Sequence, residues 1–171
     1  MGYYNKITNL LTLSNLQHLE FGYDYDQLTD LSQLSKLQYL KFENNYNQKT
    51  DLSRLSSLQH LEFGFNYDQK TDFSTLLNLQ HLEFHMMYDQ QTDLSQLTNL
   101  QYLDFGWSYN QLINLLTLSN LQFIYFGTCY NQQTDLSQCK KLKKLNNYDI
   151  EEIDLSTYRN GIFKKVEIFI E

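Results

Sequence analysis

A twelve-residue phrase, clearest as LQHLEFGFNYDQ at residues 58–69, recurs in register along most of the chain. Further copies begin at Leu16, Leu37, Leu79, Leu100 and Leu121. Their anchoring rings, Phe21, Phe42, Phe63, Phe84, Phe105 and Phe126, are 21 residues apart at every step. A fixed period of this length restricts the chain to a stack of small units, a solenoid, because one such unit cannot bury a core alone.

Within the unit, L-x-x-L-x-F reads as a short strand. Leu61 and Phe63 alternate with His60 and Glu62, the period-two pattern of a half-buried strand. Stacking the copies makes a parallel sheet. The following T-D-L-S-x-L, as at residues 50–55, reads as a short 3₁₀ turn on the opposite, convex side. Asp30 and Asp93, each followed three residues later by Gln33 and Gln96, have capping-box spacing. Leu52, Leu55 and Leu58 then point inward. The fold class is therefore an α/β repeat solenoid: an arc with a parallel sheet on its concave side and short 3₁₀ turns on its convex side.

Two further columns carry information. Tyr25, Tyr46, Tyr67, Tyr88, Tyr109 and Tyr130 read as core rings whose hydroxyls reach the surface or a backbone carbonyl. Asp26, Asn47, Asp68, Asp89, Asn110 and Asn131 exchange acid for amide, so the position requires hydrogen-bond acceptance, most simply from loop N–H groups. Gly22, Gly64, Gly106 and Gly127 follow the anchoring Phe, but Glu43 and His85 stand in the same column. Positive φ is thus not expected to be obligatory there.

The L-x-x-L-x-[LF] motif at this period resembles the leucine-rich repeat, over about residues 7–145. Downstream of the Phe the pattern is G-x-x-Y-[DN]-Q, which resembles the FNIP, or FGxxFN, subtype found mainly in social amoebae and large DNA viruses. Tyr stands here where that motif has Phe. The resemblance implies a curved solenoid used for protein binding. Some relatives carry an F-box ahead of the repeats and serve as ubiquitin-ligase adaptors. Residues 1–15 read here as a partial repeat with no room for an F-box, so that role is not expected.

The 171 residues read as one domain: a partial repeat at 1–15, regular repeats at 16–145, and an irregular capping repeat at 146–171 with its strand at 163–168. A net charge of −7 argues against nucleic acid as partner. Residues 1–138 hold 6 basic and 14 acidic side chains, so the acidity belongs to the repeats. No apolar run is long enough to span a membrane or resembles a signal peptide. Cys139 takes a position that is Leu34, Leu55, Leu76, Leu97 and Leu118 in earlier repeats, and is expected to be a buried thiol. An intracellular, cytoplasmic location is expected.

On the sheet face, exposed positions line up into columns. One reads His18, Tyr39, His60, His81, Tyr102 and Phe123; the next contains Glu20, Glu62, Glu83 and Asp104; a third, just past the strands, contains Tyr23, Phe65, Met86 and Trp107. These vary on a fixed framework, which is how a repeat protein encodes a binding surface. Aromatics, Met and His beside carboxylates suit a protein or peptide partner. His60 and His81 with Glu62 and Glu83 form a candidate metal cluster, but a flat sheet does not converge ligands tetrahedrally; a calcium site at the neighbouring Asp68 and Asp89 lacks the ligand density of an EF-hand, and no metal or other cofactor is expected. The columns contain no Ser or Cys nucleophile, and no enzymatic activity is expected. The alternative function is a self-assembling structural protein. The first repeat leaves an apolar layer beside an open strand edge, and a homodimer through the N-terminal end is expected unless residues 1–7 fold back over it.

Overall fold

The computed structural model describes residues 10–146, together with the backbone of Tyr148–Asp149 and Ile162–Phe163. Each repeat contributes one short strand: β1 (His18–Glu20), β2 (Tyr39–Phe42), β3 (His60–Phe63), β4 (His81–Phe84), β5 (Tyr102–Asp104) and β6 (Phe123–Tyr125). Each pairs in parallel with the next, and the register never slips. His18, Tyr39, His60, His81, Tyr102 and Phe123 are successive partners across the sheet. After β7 (Thr134–Asp135), β8 (Lys144–Leu145) continues the parallel sheet beyond β6.

The regularity ends at Asn146, whose φ of 55° turns the chain back. β9 (Tyr148–Asp149) then pairs antiparallel with β8. β10 (Ile162–Phe163) pairs antiparallel with β7, outside the main sheet. The start of the expected 163–168 strand is thus directed away from the parallel ladder. The rest of the expected C-terminal cap, and the expected fold-back of residues 1–7, lie outside the described residues. Among the described residues, no helix is long and apolar enough to cross a membrane.

The period-two pattern does what it implies. Leu40, Phe42, Leu61, Phe63, Leu82 and Phe84 are buried, and the residues between them are half-buried. Behind the sheet, two ladders of rings run the length of the stack. Each anchoring Phe lies flat on the Tyr of its own repeat, as Phe63 does on Tyr67 with ring centres 3.8 Å apart. Along the stack, Tyr46, Tyr67, Tyr88 and Tyr109 repeat at 6.1–6.2 Å. Stacked pairs add about 0.5–1.5 kcal/mol each beyond the area they bury.

Polar groups close the coil around these rings. Tyr46 and Tyr88 bond the hydroxyls of Thr50 and Thr92 at 2.5 and 2.6 Å, and Tyr25, Tyr67 and Tyr130 meet Thr29, Thr71 and Thr134 in the same way. The core hydroxyls therefore find a threonine four residues on, not the surface. The Asp/Asn column accepts N–H bonds as expected, but from the next repeat. Asp68 Oδ1 accepts the backbone N–H of Asp89 at 3.0 Å and the side-chain amide of Gln90 at 2.9 Å. The pattern recurs from Asp26 to Asn110, so each coil is bonded to its successor on this edge as well as through the sheet.

On the convex side each coil makes two successive i→i+3 turns, as when Leu55 N–H bonds Leu52 C=O and Leu58 N–H bonds Leu55 C=O, both at 3.0 Å. The three-residue spacing keeps all three leucines inward, where they are at most 2% exposed. Only Leu10–Thr12 extends to a 3₁₀ helix among the described residues. The capping box closes by half. Asp30 Oδ1 accepts the Ser32 N–H at 2.9 Å, but Gln33 reaches the Ser32 hydroxyl and does not return to Asp30. That N–H bond holds the exposed Asp51, Asp72 and Asp93 carboxyls below their ordinary value through Ser53, Ser74 and Ser95.

The glycine column corrects the sequence reading in part. Gly106 and Gly127 have φ of 68° and 70°. A Cβ on Gly106 would lie 1.4 Å from the His85 carbonyl oxygen, so those two positions require glycine. Glu43 and His85 are not among the positive-φ residues and Gly22 has open space around it, so the requirement is local to single positions and not a rule of the column. Cys139 is buried, as its place among leucines implies, and burial pushes its thiol up to about 11.

Candidate functional site

Because the register is unslipped, each column of the sheet face is a straight line of side chains one strand apart. The first column does not stand free in solvent. His18 and Tyr39, Tyr39 and His60, His60 and His81, and His81 and Tyr102 stack face to face, with ring centres 3.9–4.4 Å apart. Phe123 ends the line tilted at 39° to Tyr102. These rings bury one another's faces and offer only edges and polar tips to a partner.

The second column braces the first. His18 Nε2 meets Glu20 at 2.9 Å, His60 Nε2 meets Glu62 at 2.5 Å, and His81 Nε2 meets Glu83 at 3.2 Å. Lys41 bridges Glu62 at 3.0 Å and Glu43 at 3.4 Å. The His60 hydrogen bond, helped by Lys41 and opposed by burial, holds the Glu62 carboxyl down at about 2. Asp104 sits differently. Burial pushes its carboxyl up to about 6, with the nearby Glu83 adding to the rise and the Gly106 N–H opposing it. Burial, with the Asp104 charge beside it, also pushes the Tyr102 hydroxyl up to about 12.

His60, Glu62 and His81 each offer a ligand atom within 4.8 Å of the others. The structure thus brings three of the four expected residues together, without Glu83. The two imidazoles, however, lie parallel within 16° and 3.9 Å apart, so their in-plane lone pairs run side by side. A tetrahedral ion needs those lone pairs to converge.

The third column is the open one. Tyr23, Phe65 and Trp107 are 55%, 40% and 53% exposed, whereas Met86 is half-buried. His85 belongs to this surface and was not singled out in the sequence. It stacks near Phe65 at 6.3 Å and meets Glu83 at 3.6 Å. Its signal was legible, since a ring replaces glycine at that column. Phe65, His85, Met86, Asp104 and Trp107 line one hollow of about 220 Å³.

No protein-family model and no curated protein matches the chain. Solved structures do. An internalin, inlF, of Listeria monocytogenes superposes with a TM-score of 0.66 at 21% identity, over 80% of this chain and 42% of its own. CroV588, a circular leucine-rich-repeat protein, has a TM-score of 0.66 at 31% identity, over 78% of this chain and 20% of its own. Internalin C2 of Listeria monocytogenes has a TM-score of 0.60 at 25% identity, over 79% of this chain and 62% of its own. The chain therefore spans less than two thirds of the length of each. With one short parallel strand per coil, an unslipped register and these neighbours, the fold is the leucine-rich-repeat solenoid.

Proposed function

We propose that this chain is a non-enzymatic recognition module that binds a protein or peptide partner through the sheet face. The observation that carries this reading is the third column. Large rings at Tyr23, Phe65 and Trp107 are held open to solvent on a face where the His18-to-Tyr102 column is stacked and Glu20, Glu62 and Glu83 are paired. Exposed aromatics aligned on a rigid scaffold are what a binding hot spot requires. The Phe–Gly–x–x–Tyr phrase supports the FNIP subtype within the leucine-rich-repeat class, since its Phe and Tyr are the stacked pair of every coil. The free thiols Cys129 and Cys139 support a reducing, cytoplasmic setting. Combining Trp107→Ala, Phe65→Ala and Tyr23→Ala, all on the open column, should leave the melting temperature nearly unchanged and abolish capture of the partner from the native host. Undiminished capture by that triple variant would move the interface elsewhere.

A second reading concerns self-association. Among the described residues β1 pairs only with β2, and no described strand covers its other edge. Beside it Leu13 is 40% exposed, and Leu16 and Leu19 are only partly buried. An open strand edge next to an apolar layer favours pairing with a second copy. We propose a homodimer there, which is also the smallest form of the self-assembling alternative. Light scattering over a dilution series should show twice the monomer mass. A monomer at tens of micromolar would remove this reading.

A further inference from the structure

We propose that the hollow beside Trp107 receives a single lysine or arginine side chain, delivered by a basic, extended segment of a protein partner. This rests on the recognition function proposed above and specifies its ligand chemistry. The carboxylates of the sheet face are not equivalent. Glu20, Glu62 and Glu83 each have a histidine or lysine nitrogen between 2.5 and 3.6 Å away. Asp104 makes no ion pair among the described residues. Its Oδ1 accepts the Gly106 N–H at 2.7 Å, a bond to a neutral donor.

An unpaired, half-buried carboxylate is unfavourable in the free protein, and an arriving cation relieves it. A neutral side chain supplies no compensating charge, and an acidic one would repel it. The hollow's other walls fit a cation too. Trp107 and Phe65 present rings, with Tyr125 and Met86 beside them, and cation–π attraction is strongest over indole. Its volume of about 220 Å³ holds the end of one side chain, not a folded domain. Asp104 also borders a second hollow, but Lys144 lines that one. The aromatic walls of the Trp107 side favour that side for the cation. The long-range charge agrees, since residues 1–138 hold 14 acidic against 6 basic side chains.

Gly106 links this site to the fold. Its φ of 68° lets the chain turn immediately after β5, so that its N–H meets Asp104 and Trp107 stands at the mouth of the hollow.

Trp107 is the chain's one tryptophan, so fluorescence excited selectively through the indole, at a wavelength the 14 tyrosines do not absorb, reports on this hollow. Blocked hexalysine, titrated into the full chain, should change that fluorescence saturably, and hexaglutamate should not. Asp104→Asn should weaken hexalysine at least tenfold. Asp72→Asn, which removes an equal charge from the convex side, should leave it within twofold. No saturable change, or equal loss in both variants, overturns the proposal. Partner capture separates it from the broader reading. If the Trp107/Phe65/Tyr23 triple variant loses the partner while Asp104→Asn keeps it, the binding face stands and the cation site fails. If capture survives the triple variant while hexalysine binding still depends on Asp104, the cation site stands and the partner interface lies elsewhere.

Discussion

At Tyr109 the threonine that bonds the core hydroxyl of five other repeats is replaced by Ile113. The Tyr109 hydroxyl is buried and finds no hydrogen bond, although Thr92 of the preceding coil lies near enough to bias its titration. An orphaned buried hydroxyl costs roughly 1–3 kcal/mol. Tyr109→Phe should therefore raise the melting temperature, whereas Tyr88→Phe, which breaks a satisfied pair, should lower stability by about 0.5–1.5 kcal/mol. Equal losses in the two variants would show that Tyr109 has a partner after all. Asp104 and Glu62 should separate in pH. Asp104 rises to about 6 in the fold, so it opposes folding above that pH and ceases to do so as pH falls toward 4. Asp104→Asn should thus be more stable than the parent above pH 6, with the difference gone near pH 4. Glu62 is held at about 2, so its contribution is present above its ordinary value and is lost as pH falls from about 4.5 toward 2. Glu62→Gln should be less stable at neutral pH and match the parent in strong acid. Melting curves of both variants from pH 2 to 8 check both signs.

At the scale of one coil, the strand and its two turns form a unit because the anchoring Phe touches everything. Phe84 stacks on Tyr88 at 3.7 Å, meets Phe73 edge-on at 6.1 Å, and is flanked by Phe63 at 5.5 Å and Phe105 at 6.2 Å. Phe84→Ala should cost about 3–5 kcal/mol and spread its effect to the neighbouring coils. Phe123→Ala, at a half-buried tilted ring, should cost much less; comparable chemical-denaturation midpoints would show that Phe84 is not the keystone. The coil's outline was legible because the count of 21 fixes register before any contact is known. Leu61, Phe63 and the Asp/Asn acceptors followed from side-chain chemistry alone. What was not legible depends on the spacing between copies. Two like rings one strand apart can either stand free or stack, and the sequence does not distinguish these. The His18-to-Tyr102 column stacks, which turns expected contact residues into bracing. The positive φ at Gly106 is equally local. Gly22 occupies the same column without it, so no column-wise rule reveals which glycine supports Trp107. The return bond of the capping box failed because two short turns replace the helical turn that would bring Gln33 back to Asp30.

Across the whole molecule, stability is passed from coil to coil, since nearly every bond between repeats joins nearest neighbours. Three ladders run in parallel: the sheet, the aromatic stacks, and the Asp/Asn edge where each side-chain oxygen takes the next coil's N–H. An inner coil is held from both sides, whereas among the described residues the first coil has a neighbour on one side. The burial follows. Leu61, Phe63, Leu82 and Leu103 are fully buried, but Leu16 and Leu19 are only partly so, and Phe21 and Tyr25 retain 7% and 6% exposure. In a nearest-neighbour stack, opening propagates inward from the weaker end, and local opening free energies should grade accordingly. Native-state hydrogen exchange should find the slowest amides in β3 and β4, such as His60 and His81, whose N–H groups bond the preceding coils at 3.0 Å. Amides of the first coil, including Phe21 and Tyr25, should exchange faster by at least tenfold. The proposed dimer adds a concentration dependence. If a second copy covers β1, protection of the first coil should rise with protein concentration while β3 and β4 stay unchanged. Uniform exchange from Phe21 to Phe126 would show one all-or-none unit and sink the graded picture. A gradient independent of concentration would keep the graded stack and remove the pairing at β1.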